Sequence, residues 1–278
     1  MDEQARISVI LVVYQSLIEN SNAYNSIREH SDHFNVIVID NSTQEIVIQN
    51  NHDFSVRNNI RYISKGKNLG LSKAYNLGLD MILENPDFGN WMITLDQDTH
   101  LPFDYLDEVL KISQCTPHED VYCPNVISAQ GEISPIILRR DYTANFHMSG
   151  IEYLGCINSG LMWSVGLVKS LRYDEHIFLD MVDYDIFMQL YTNNRLQQVV
   201  QMKSTIRQEF SGDQISTFIK DKTRFMIYAK DFVYFCRKWS IRRTFCCSVL
   251  MKRALKLSIS HRSMFFLFYA IQVMQNKD

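Results

Sequence analysis

Short runs of apolar, largely β-branched residues punctuate the first hundred positions. Ile7 to Val13 and Val36 to Ile39 are such runs, each ending in a polar turn, and Arg61 to Ser64 and Trp91 to Leu95 follow as a third and a fourth predicted strand. Runs of this length bounded by turn residues predict strands buried on both faces, as a parallel sheet requires. Between them, Leu17 to Arg28 has helix-compatible spacing, and Leu71 to Leu83 predicts a helix entered through Gly66, Asn68 and Gly70. A β-α-β-α-β order implies right-handed crossovers and an α/β domain whose ligands bind beyond the carboxyl ends of the strands.

The residues just after those strands therefore matter most. They are Tyr14-Gln15-Ser16, Asp40-Asn41-Ser42, Lys65 to Gly70, and Asp96-Gln97-Asp98. Four polar ends on one sheet edge make a cleft. Asp40 is either turn chemistry or a ligand contact, since Asp-Asn-Ser is common in turns. Asp96 and Asp98 flank one residue at the end of an apolar strand, where they repel unless a cation or a hydroxyl takes up the charge; the alternative is a turn pair before Leu101-Pro102. The glycine-bearing loop matches neither the phosphate-cradling nor the dinucleotide spacing. Further on, Asn158-Ser159-Gly160 precedes an apolar run, and Tyr173 to Asp185 packs five carboxylates into thirteen positions. Asp180, Asp183 and Asp185 open a predicted helix over Ile186 to Tyr191. Such acids cap helices and meet the helix dipole, or one of them in a cleft serves as a general base.

Composition changes the picture in the last fifth. The 278 residues are 46% hydrophobic and 21% charged, ordinary for a globular chain. Six cysteines without a CxxC pair read as reduced thiols, and Asp2 and Glu3 stand where a signal peptide is basic, so a cytoplasmic location is expected. From Lys220 onward, however, 13 Lys/Arg face 3 Asp/Glu, a balance of +10, against 15 and 28, or -13, before it. Phe225, Phe232, Tyr234, Phe235, Trp239, Phe245 and Met264 to Ala270 interleave that basic tail, a pattern that favours an anionic membrane surface over nucleic acid. An amphipathic segment docked on the body is the other reading. The charge change divides the chain into residues 1–215 and a helical extension, 216–278.

Taken together and in order, Ser8-Val9-Ile10 to Tyr14, Ile39-Asp40-Asn41-Ser42, Lys67-Asn68-Leu69-Gly70-Leu71 with Asn76-Leu77-Gly78, Leu95-Asp96-Gln97-Asp98, Asn158-Ser159-Gly160, and Phe178-Leu179-Asp180 with Val182-Asp183 resemble family 2 of the glycosyltransferases. The resemblance spans about residues 6–215. It implies the GT-A fold, a Rossmann-like, mostly parallel sheet flanked by helices, and an inverting transfer from a nucleotide-sugar. Asp96-Gln97-Asp98 and the Phe178 to Asp185 segment look most like bacterial rhamnosyltransferases. That implies dTDP-L-rhamnose as donor, with UDP-hexoses or a non-catalytic relative as alternatives, and a polyprenyl-diphosphate-linked glycan as acceptor in O-antigen or capsule synthesis. The protein would then work peripherally at the inner face of the cytoplasmic membrane.

Residue by residue, the resemblance implies that Tyr14, Asp40, Lys67, Asn68 and Gly70 hold the nucleotide. Asp96 faces the ribose or the metal, and Asp98 holds Mg²⁺ or Mn²⁺ on the diphosphate. Asn158, Ser159 and Gly160 line the sugar and acceptor region. Asp183 is the base, with Asp180 and Asp185 as alternatives. One departure stands out: relatives carry a His before a Gly-Asp pair, whereas Gly212-Asp213 follows Arg207-Gln208-Glu209-Phe210, so Gln208 or Glu209 would substitute. His100, His147 and His176 are scattered and read as surface or packing residues.

Overall fold

A computed structural model describes residues 7–30, 32–115, 120–129, 131–138, 153–208 and 217–276. Gly212-Asp213, Glu209, His147, Asp2 and Glu3 lie outside them. The first half alternates strand and helix: β1 (Ile7–Val13), α1 (Asn22–Ile27), β2 (Phe34–Asp40), α2 (Glu45–Arg57), β3 (Arg61–Ser64), α3 (Leu71–Glu84) and β4 (Trp91–Asp96). Then come β5 (Thr99–His100), α4 (Phe103–Ser113), β6 (Val121–Ser128), β7 (Gly131–Ser134), β8 (Ile136–Leu138), β9 (Tyr153–Gly155), β10 (Leu161–Ser164), α5 (Val165–Leu171), α6 (Val182–Thr192) and β11 (Val199–Gln208). Three helices close the chain: α7 (Phe218–Lys238), α8 (Arg243–His261) and α9 (Phe265–Gln275).

The central sheet runs β3-β2-β1-β4-β10-β6-β11-β5, with β7 on β6. β3, β2, β1 and β4 are mutually parallel, β11 is parallel to β6, and β10 lies antiparallel between β4 and β6. This is the mostly parallel, helix-flanked sheet of the GT-A fold. The register sets Val13 beside Asp40, Asp40 beside Ser64, and Val12 beside Asp96, so the polar strand ends share one edge.

Every residue of β1 is buried. Alternate side chains serve two cores: Ile10 and Val12 pack under α3 and the later helices, whereas Val9, Leu11 and Val13 pack with Tyr24, Tyr105 and Val109 on the opposite face. A strand buried on both faces has no need of polar alternation, which is why it reads as a continuous apolar run.

Two local expectations change. Leu17 to Arg28 is broken: a 3-10 turn, Ile18–Asn20, precedes α1, and Ser21 between them is extended. The Ser21 hydroxyl accepts from the Tyr24 N–H and donates to the Gln97 carbonyl, so it caps α1 and ties it to the acidic turn after β4. The basic tail docks on the body. Phe225, Phe232, Phe235, Phe266 and Ala270 are buried in the same core as α3, α5 and α6, so these aromatics are packing residues.

Candidate active site

Four loops meet at the carboxyl edge. Asp40 ends β2 with its carboxylate turned inward and only 1% exposed. Oδ1 accepts from the Ser42 N–H at 2.8 Å, and Oδ2 accepts from Asn51 Nδ2 and the Tyr62 hydroxyl, both at 2.8 Å. Asp40 thus shapes the turn and leaves its neighbours to face the cleft. The next residue, Asn41, donates to the Gly70 carbonyl and accepts from the Leu69 N–H. Asn68 Oδ1 takes the Gly70 N–H, which fixes the loop that carries Lys67. Gly70 itself has φ +80°, and a Cβ there would meet the Phe178 carbonyl oxygen at 2.4 Å. Only glycine allows both the backbone turn and this approach. Leu71 N–H donates to the same carbonyl at 2.7 Å, joining this loop to the acidic segment. Tyr14 is half exposed at the end of β1, its N–H donating to Gln97 Oε1.

Asp96 sits at the end of β4. Its N–H donates to Ser159 Oγ, Oδ1 accepts from the Tyr75 hydroxyl at 3.0 Å, and Oδ2 accepts from Gln208 Nε2 at 3.2 Å. Burial pushes its pKa up, opposed by those two side-chain hydrogen bonds. Tyr75 is fully buried, which raises its own pKa far above the ordinary value and keeps the hydroxyl protonated as a donor. Asp98 follows two residues on, in the turn leading to β5.

The second side of the cleft is the turn before β10. Gly160 has φ +84°, and a Cβ there would come within 2.5 Å of Ile206. Its N–H donates to the Thr94 carbonyl, and the Ser159 and Thr99 hydroxyls are 2.5 Å apart, so the turn is bound to the end of β4. Asn158 then presents its N–H at 3.1 Å and its Nδ2 at 2.5 Å to Asp183 Oδ1. No hydrogen bond among the described residues reaches Asp183 Oδ2. Tyr173, whose ring lies 5.0 Å from that of Tyr75, donates to Asn158 Oδ1 at 3.3 Å. Two hydrogen-bonded groups, Asp96 with Tyr75 and Tyr173 with Asn158 and Asp183, thus meet at this ring contact.

The three acids of the second segment separate by environment. Asp183, in the first turn of α6, has its pKa pushed up to about 7 by burial and by the charges of Asp96 and Asp180, against the Asn158 N–H. Asp180 Oδ1 accepts from Arg224 at 3.0 Å, while its buried Oδ2 has no hydrogen-bond partner among the described residues; burial raises its pKa, and Arg224 and Arg253 oppose. Asp185 is 1% exposed, accepts from Trp239 Nε1, Lys238 Nζ and Gln189, and fastens α6 to the end of α7. A carboxylate held this way is a structural group. Asp183, with one oxygen oriented and the other open, has the geometry of a base.

A helix after residue 216 was expected, but not its hold on the acidic segment. Asp231 accepts the backbone N–H groups of Phe178, Leu179 and Asp180 at 3.0, 2.8 and 2.8 Å, gripping the loop that precedes Asp183. Its signal was present, as one of only three acids among thirteen basic residues after position 219. Tyr75 and Tyr173 carried no such mark.

A divalent cation fits the donor set on chemical grounds. Asp96 and Asp98 supply hard carboxylate oxygens, and Gln208 Oε1, on the amide that touches Asp96, lies buried with no hydrogen-bond partner among the described residues. Among the described residues no cluster of three His, Cys, Asp or Glu side chains forms around them.

The family model described as Glycosyl transferase family 2 matches residues 8–172. No curated protein matches the chain in sequence. Among solved structures, S. aureus TarS 1-349 is similar with a TM-score of 0.51 and 15% identity, covering 92% of this chain and 72% of that one. Glucosyl-3-phosphoglycerate synthase from Mycobacterium tuberculosis, solved with Mg²⁺ and uridine-diphosphate, has a TM-score of 0.54 at 15% identity over 86% of this chain and 80% of its own. The same synthase with Mn²⁺, uridine-diphosphate and phosphoglyceric acid gives 0.55 at 12% identity, with the same coverage. At these identities the likeness is one of fold.

Proposed function

The chain belongs to glycosyl transferase family 2, and from that premise we propose that it is an inverting glycosyltransferase whose base is Asp183. The donor is a nucleotide-sugar, dTDP-L-rhamnose, and the acceptor is a hydroxyl of a polyprenyl-diphosphate-linked glycan. The observation that carries the reading is Asp183 itself. Its Oδ1 is held twice by Asn158, its Oδ2 is open, and its pKa near 7 suits proton abstraction at neutral pH.

The acceptor hydroxyl gives its proton to Asp183 Oδ2 as its oxygen attacks the anomeric carbon. The bond from that carbon to the diphosphate oxygen breaks on the opposite face, so configuration inverts and the nucleoside diphosphate leaves. Asn158 keeps the base in line; Asp180 Oδ2 supplies a second acceptor for a substrate hydroxyl. Asp40 acts through the Asn41 and Gly70 loop, which with Tyr14, Lys67 and Asn68 borders the nucleotide. Asp96 and Asp98, with Gln208 beside them, would hold Mg²⁺ or Mn²⁺, which when bound stabilises charge on the leaving diphosphate.

The same site with a UDP-hexose is the second reading, favoured by the synthase structures that hold uridine-diphosphate. No helix among the described residues is long and apolar enough to cross a membrane; the enzyme would meet its lipid-linked acceptor from the cytoplasmic side. A donor screen by mass spectrometry with Mg²⁺ or Mn²⁺ decides. Turnover of dTDP-rhamnose that is lost in Asp98→Ala and Asp183→Ala supports the proposal. Turnover of UDP-sugars alone keeps the mechanism and replaces the donor, and no turnover of any donor with a lipid-linked acceptor supplied overturns both.

A further inference from the structure

The C-terminal helices bury one set of aromatic residues and leave a different apolar set outside. Phe218, in the first turn of α7, has its ring 5.7 Å from His261 at the end of α8 and 5.8 Å from Phe266 at the start of α9. Three helix ends therefore converge at one corner. Around it stand Ile219 (75% exposed), Ile259 (70%), Met264 (56%) and Phe268 (66%). Leu255 lies one turn before Ile259, and Ile271 one turn after Phe268, both exposed. Single exposed apolar residues are common on any protein, but a contiguous group marks an interaction site.

Charge says what meets it. Lys252, Leu255, Lys256 and Ile259 are spaced i, i+3, i+4, i+7, so two lysines and two aliphatic side chains share one face of α8. Between residues 232 and 277 the chain has nine Lys/Arg and no Asp or Glu. Apolar side chains flanked by lysines suit a surface that is apolar within and anionic at its rim, which describes an acidic lipid bilayer.

We propose that the α8–α9 hairpin and the first turn of α7 seat in the headgroup region of an anionic bilayer, with Ile219, Ile259, Met264 and Phe268 inserted. This face keeps only part of the set that the tail's composition suggested: Met264 and Phe268 are exposed on it, whereas Phe225, Phe232 and Phe235 are inside the protein. The placement also orients the enzyme. Arg224, which contacts Asp180, is six residues beyond Phe218 on α7, about 9 Å along the helix axis. The acceptor side of the cleft is thus held close to the headgroups, where a lipid-linked hydroxyl would be presented. That last step rests on the proposed function; the seating itself does not.

The test is co-sedimentation of the full chain with vesicles of phosphatidylcholine alone and of phosphatidylcholine with phosphatidylglycerol. Binding should require phosphatidylglycerol, weaken at high salt, and fall by about fivefold for each of Lys252→Gln and Lys256→Gln. Phe268→Glu and Ile259→Glu should each abolish it while the melting temperature stays unchanged, since both side chains are outside the core. Equal binding to both vesicles, no binding to either, or binding that survives the glutamate variants overturns the proposal. Self-association lost in Phe268→Glu, without vesicle binding, would instead assign the face to a second copy of the chain. Vesicle binding by a protein that transfers no sugar leaves the seating intact and refutes only the lipid-linked acceptor.

Discussion

At the scale of single residues, the site depends on how differently its carboxylates are housed. Asp40 and Asp185 are the most enclosed and have their oxygens occupied by protein donors. Asp183 is oriented on one oxygen and open on the other. Its pKa, about 7 against an ordinary 3.8, sets two pH dependences of opposite sign. Activity needs the ionised form, so kcat/KM should rise about tenfold per pH unit up to about 7 and then level off. Stability runs the other way. A carboxyl whose pKa is raised in the folded state binds its proton more tightly there, so its contribution is present at low pH and is lost as pH rises from 3.8 through 7. Asp183→Asn should therefore lower turnover by about 10²- to 10⁴-fold yet melt no lower, and well above pH 7 higher, than the native protein. A flat pH–rate profile, or full activity in Asp183→Asn, would exclude it as the base. The residue pattern located these acids, and only the family resemblance put Asp183 ahead, because Asp180, Asp183 and Asp185 share a motif and differ in what long-range folding puts beside them: Arg224, Asn158, and Lys238 with Trp239.

Among the elements, the strands were the most legible and the connections between site and tail the least. β1 and β3 begin and end at the bounds expected from the sequence, and β4 extends its apolar run by one residue, Asp96. α2 is harder to see, since Ile46, Val47 and Ile48 are consecutive and its buried residues are Asn51 and Ser55, a poor apolar stripe. Ser21 divides a helix-like segment because its hydroxyl bonds better as a cap. The interaction that local patterns hid altogether is the grip of α7 on the acidic segment, through Arg224 on Asp180, Asp231 on three backbone N–H groups, and Tyr234 and Lys238 on Asp174. Asp231 is accordingly a positioning residue for Asp183. Asp231→Asn weakens acceptance of the three N–H groups and should cost about 1–3 kcal/mol of stability. It should also lower kcat by about ten- to a hundredfold through misplacement of the base. If the loosened loop admits water around Asp183, the acidic limb of the pH profile moves to lower pH, with partial recovery in Asp231→Glu. A stability loss with unchanged kcat and pH profile would reduce Asp231 to a purely structural contact.

For the whole molecule, the question is whether residues 1–215 form a unit that stands without the helices after them. Charge alone divides the chain there, because an acidic body changes to a basic tail, and charge is legible in sequence. Packing is not, since Phe225, Phe232 and Phe266 share one core with residues of α3, α5 and α6 that stand far back in the chain, and the Phe235 ring meets that of Tyr184 in α6. A shared core argues against independence. Removing α7 to α9 would uncover the apolar surface over α6 and release the 178–180 loop, whereas a domain typically holds only about 5–15 kcal/mol in reserve. A chain ended at residue 216 should therefore show no cooperative melting by circular dichroism and no donor hydrolysis. Phe235→Ala, a gentler test of the same contact because the Phe235 ring lies 6.3 Å from that of Tyr184 in α6, should cost about 3–5 kcal/mol while leaving a folded, active protein at low temperature. Should the shortened chain melt cooperatively and hydrolyse donor at the native rate, the division read from charge would be the physical one, and the grip of α7 on the base would be dispensable.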